Sequence, residues 1–75
     1  MPSTQFWNEV RVQVARQATR WSCGTEGRLL YENLVEDDDW QFRLIELAPE
    51  NSEKFQSPAS TAAAIVTNYF ARSLE

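Results

Sequence analysis

A small two-layer α+β domain of αββα order is the fold class that the sequence predicts. Three observations predict it: apolar residues at helical spacing near the start, a period-2 alternation beginning at Trp40, and a serine–proline helix start at Ser57-Pro58. In this reading a β-hairpin, with or without a third short strand, is covered by an N-terminal and a C-terminal helix.

The first helix is expected over about residues 4–20. Trp7, Val10, Val14, Ala18 and Trp21 fall at gaps of 3, 4, 4 and 3, which lines them along one helical stripe. Glu9, Gln13, Arg16 and Arg20 gather on the other face, and Pro2-Ser3-Thr4 supplies a capping hydroxyl ahead of the helix. Val10, Val12 and Val14 also alternate as in a strand. A run of this length without glycine or proline nevertheless suits a helix, and Val12 is its one misplaced residue.

Cys23-Gly24-Thr25-Glu26-Gly27 is the strongest break, since it holds both glycines of the chain. The hairpin is expected over about residues 28–47. Its first arm is Arg28-Leu29-Leu30-Tyr31-Glu32-Asn33-Leu34-Val35, although Leu30 and Leu34 also fit a helical turn. Glu36-Asp37-Asp38-Asp39 reads as its tip, because aspartates form turns well and strands poorly. Trp40, Phe42 and Leu44 then alternate with Gln41 and Arg43, the pattern of a half-buried strand running on to Leu47. A polar loop, Ala48 to Glu53, leads to the optional third strand at Lys54-Phe55-Gln56. Ser57 then caps, and Pro58 opens, a helix over about residues 58–72. Ala59, Ala62, Ile65, Val66, Tyr69 and Phe70 share its apolar face, and Ala63 and Ala64 keep its first half slim enough to approach a sheet.

Seventy-five residues make one domain, and the terminal Leu74-Glu75 reads as a vector-derived junction. Three tryptophans, four phenylalanines and two tyrosines are enough for a single core without a metal or a disulfide. No apolar run approaches a membrane span and no signal peptide opens the chain. One cysteine fits a reducing compartment, such as the bacterial cytoplasm.

The absence of histidine removes the usual base for nucleophilic catalysis and, with a single cysteine, any zinc ligand set. Cys23 reads as a small packed residue at the end of the first helix. The four contiguous acids lack the alternate spacing and the glycine of a calcium loop. Gly24 and Gly27 form no phosphate-binding loop. A non-enzymatic chain without cofactor or metal is the expectation.

The net charge of −4 is unevenly spread: residues 1–35 carry +1, residues 36–56 carry −5, and the rest is neutral. Clustered acid disfavours non-specific binding to nucleic acid. Two adjacent aromatic pairs, Phe6-Trp7 and Tyr69-Phe70, either share a broad apolar face or place one member at a rim, since neighbours on a helix diverge by about 100°.

One tract carries a family resemblance. Gly24-Thr25, the two expected hairpin arms and Lys54-Phe55-Gln56-Ser57-Pro58-Ala59 follow the order of the RAMA-type domains, so that residues 24–66 resemble these modules of bacterial restriction and DNA-modification systems. Position 59 is alanine where that family has serine. The resemblance implies recognition of modified DNA.

The expected function is that of a protein–protein interaction module in the cytoplasm. Its surface is centred on Glu36, Asp37, Asp38, Asp39 and Trp40, and its partner is another protein or a second copy of the chain. The alternative is a nucleic-acid or modified-DNA reader using Arg16, Arg20, Arg28 and Ser57. No membrane partner is expected.

Overall fold

The computed structural model describes residues 4–20 and 25–73, and the regular elements among them are all helical. They are α1 (Thr4–Arg20), α2 (Thr25–Leu30) continued by a π-helical turn (Tyr31–Val35), α3 (Trp40–Leu47), α4 (Ser52–Phe55) and α5 (Pro58–Ser73). Pro2, Ser3, Trp21, Cys23, Gly24, Leu74 and Glu75, to which the sequence assigned a cap, a stripe position, a packed thiol, a break and a junction, lie outside the described residues.

α1 buries Trp7, Val10, Val14 and Ala18, while Val12 stays 50% exposed. Period 3.6 therefore governs this segment, and the competing alternation of valines does not. α5 begins with a working cap: the Ser57 hydroxyl accepts the Ser60 backbone N–H at 3.2 Å, and Pro58 follows where no N–H is needed. Ala62, Ile65 and Val66 are buried from this helix, with Tyr69 and Phe70 packed at the core margin. Both adjacent aromatic pairs use a broad face. The rings of Phe6 and Trp7 meet edge to face at 5.1 Å, those of Tyr69 and Phe70 at 5.5 Å, and all four pack on the core.

The α+β class is corrected here: no strand occurs among the described residues, and both arms of the expected hairpin over residues 28–47 are helical, joined by a turn at residues 36–39. The alternation at Trp40 concealed a second spacing. Trp40, Leu44 and Leu47 stand four and three apart, and as a helix they bury Leu44 and Leu47 with Trp40 half-buried. Phe42 sits about 200° around the helix from Leu44 and faces outward. In the first arm, Leu30 and Leu34 are buried from one side of the α2–π segment. The π turn is closed by Glu36 N–H donating to the Tyr31 carbonyl at 3.1 Å, and the wider turn lets consecutive Leu34 and Val35 both face inward.

The expected third strand at Lys54-Phe55-Gln56 is also absent, because Ser52–Phe55 forms the single helical turn α4. Asn51 enters that turn with φ 64°, a left-handed conformation that asparagine tolerates better than most residues. Ser52 is buried and its hydroxyl donates to the Pro49 carbonyl. Of the alanines expected to line a close approach, only Ala62 is buried in the helix packing; Ala64 is half-buried, and Ala59 and Ala63 are exposed. α1 and α5 share the most extensive interface among the described elements, and α3 and the π turn complete one core around Leu30, Leu34, Leu44 and Ile65. None of the helices described is long and apolar enough to cross a membrane.

Candidate functional site

The acidic tract Glu36-Asp37-Asp38-Asp39 links the π turn to α3, and its four members do different work. Asp37 is structural. One of its carboxylate oxygens accepts the Asp39 backbone N–H at 2.7 Å, the other accepts Arg43 Nε at 3.2 Å, and its carbonyl accepts the Trp40 N–H at 3.0 Å. This side chain-to-backbone turn starts α3, a local role suited to a short carboxylate. The Asp39 carbonyl takes the Arg43 N–H at 3.0 Å, the first bond of that helix. Glu36, Asp38 and Asp39 are exposed.

Trp40 belongs to the fold more than to the surface. It is half-buried, and the Arg11 guanidinium lies over its ring. The same guanidinium donates from Nε at 3.0 Å and from Nη2 at 2.6 Å to the Val35 carbonyl, at the end of the π turn. Arg11 thus ties α1 to the acidic loop. Nothing in its spacing announced this, because the contact spans 24 positions of sequence.

The residues of the nucleic-acid alternative stand on separate elements of the fold. Arg16 and Arg20 are exposed on α1. Arg28 pairs with Glu32 one helical turn on at 3.2 Å and lines a recess with Ala18, Tyr31 and Glu36. Ser57 is engaged as the α5 cap and lines a separate recess beside Glu9, Val12 and Gln13.

What the sequence missed is the outer face of α3. Phe42 is 69% exposed and Ile45, one turn further, is 37% exposed. These two share a face because they stand three apart on a helix. Acidic residues stand at either end of this pair: Asp38 and Asp39 before it, and Glu46 and Glu50 after it, all exposed. Ile45 also borders a recess of about 370 Å³ between α3 and α4, whose other walls include Trp7, Ala48, Pro49 and Lys54. The 4-3 spacing of Trp40, Leu44 and Leu47 was the available signal, since it assigns Phe42 and Ile45 to the opposite side.

α3 is tied to α5 at two places. Asn68 Nδ2 of α5 donates to the Leu47 carbonyl at 2.8 Å, and Arg72 pairs with Glu46 at 3.4 Å. Asn33 Nδ2 donates to the Tyr69 hydroxyl at 3.0 Å. Among the described residues, no group of three or more cysteines or carboxylates converges to hold a metal ion. No protein-family model, curated protein or solved structure matches the chain.

Proposed function

We propose that this chain is a non-enzymatic, cytoplasmic protein–protein interaction module that docks its partner on the outer face of α3. The observation that carries the reading is Phe42, a large aromatic 69% exposed on a helix whose opposite side buries Leu44 and Leu47. Leaving such a ring in water forgoes burial worth about 1.5–3 kcal/mol, and interfaces are enriched in aromatic anchors of this kind. The exposed acids Asp38 and Asp39 form one edge of the surface, in place of the full set of residues 36–40, because Asp37 and Trp40 are occupied within the fold.

The test is affinity capture from the lysate of the source cell by the wild-type chain and by Phe42→Ala, with DNA binding measured across a salt series in parallel. Partners retained by the wild type and lost by Phe42→Ala are expected, with no salt-dependent DNA affinity. Identical capture by both proteins removes α3 from the site. A counterion-release slope that disappears on charge reversal of Arg16 and Arg20 transfers the function to the nucleic-acid alternative.

A further inference from the structure

The partner of this face is defined by its chemistry: we infer that it is a basic amphipathic helix, lying across Phe42 and Ile45 and placing one apolar side chain in the recess beside Trp7. The inference rests on the interaction reading above and adds the identity of the occupant.

Three observations select it. Charge comes first. Residues 36–56 hold seven acids against Arg43 and Lys54, and the exposed Asp38, Asp39 and Glu50 flank the apolar pair along the chain, while Glu46 is paired with Arg72. A segment with lysine or arginine at its margins is drawn to such a rim, whereas nucleic acid and anionic lipid are repelled by it. A second copy of the chain, docked through the same face, sets this acid against itself, because a two-fold interface brings identical surfaces together.

Secondary structure comes next. The described residues offer no sheet edge, so an extended peptide finds no backbone to pair with. Recognition then passes through side chains, as when a helix lies in a groove with anchors at i and i+3 or i+4. Phe42 and Ile45 present a ridge of that spacing, on which a helix packs.

The third observation is the recess. It begins at Ile45, the far end of the Phe42–Ile45 ridge, and its walls combine Ala48, Pro49 and the buried Trp7 with the polar run Glu50 to Lys54. An apolar anchor following the ridge enters it directly. The fixed position of α3, tied to α5 through Asn68 and Leu47, presents ridge and recess together.

The experiment is selection, on the full chain, from a display library of helical peptides randomised without charge bias. Recovered peptides are then measured against the wild type, Phe42→Ala, Ile45→Ala and the double reversal Asp38→Lys with Glu50→Lys. The expected peptides carry net positive charge and apolar residues three or four apart. They lose roughly tenfold or more in affinity to Phe42→Ala, and as much to the charge reversal. Acidic or uncharged peptides that still require Phe42 overturn the basic helix and leave the α3 docking face standing. Peptides indifferent to both Phe42 and Ile45 overturn both readings, and enrichment no greater than on an unrelated helical domain overturns the inference.

Discussion

The Arg11 guanidinium stacks 4.5 Å from the centroid of the Trp40 ring, joining the middle of α1 to the first residue of α3. The same group spends two donors on the Val35 carbonyl, left over where the π turn ends. One side chain therefore ties the end of the α2–π segment to the start of α3. That junction orients the face carrying Phe42.

Arg11→Ala is expected to cost about 2–3 kcal/mol, the sum of a charge-assisted bond to a carbonyl and a partly desolvated cation–π contact. Arg11→Lys is expected to recover less than half of this, because an ammonium has neither the planar fork nor the stacking surface. Urea unfolding midpoints check both. Equal stability of the lysine variant and the wild type refutes the paired role.

Phe42→Ala and Leu44→Ala separate helix from strand at residues 40–47. On a strand the two share a face and both substitutions are costly. On α3, Leu44 is fully buried and Phe42 is not. Leu44→Ala is expected to cost about 2–5 kcal/mol, against about 0.5 kcal/mol or less for Phe42→Ala. Comparable losses contradict the helix.

Thr61 is fully buried and its hydroxyl has no hydrogen-bond partner among the described residues. Valine replaces that hydroxyl with a methyl group of similar size. Thr61→Val is therefore expected to stabilise the domain by about 1 kcal/mol, seen as a rise in Tm of roughly 4–8 °C. A fall in Tm shows that the hydroxyl is satisfied.

Asp37 and Asp38 are neighbours with different duties, and alanine separates them. Asp37→Ala removes the turn that starts α3 together with its ion pair to Arg43, at an expected cost of about 1 kcal/mol. Asp38→Ala is expected to leave stability within about 0.5 kcal/mol. Thermal melts of the two proteins decide the matter, and equal shifts refute the division.

The long helices were legible because their patterns are long. Four buried positions of α1 repeat over three turns, and Ser57-Pro58 marks the start of α5 chemically. The centre was misread because it is short. Over eight residues, Trp40-Gln41-Phe42-Arg43-Leu44 satisfies period 2 while Trp40-Leu44-Leu47 satisfies period 3.6, and an exposed Phe42 made the wrong pattern look complete. Leu30 and Leu34 pointed to a helix in the first arm, yet the hairpin reading borrowed its support from the misread second arm. The acidic tract was correctly placed as a turn, but between helices. The Arg11 anchor was beyond reach, since long-range side-chain contacts leave no local periodicity.

The most direct measurement is the affinity of Phe42→Ala for a peptide selected on the wild-type chain, taken with its unfolding midpoint. A tenfold or greater loss of affinity at nearly unchanged stability is the expected result. Unchanged affinity in a folded Phe42→Ala protein contradicts the assignment of α3 as the docking face.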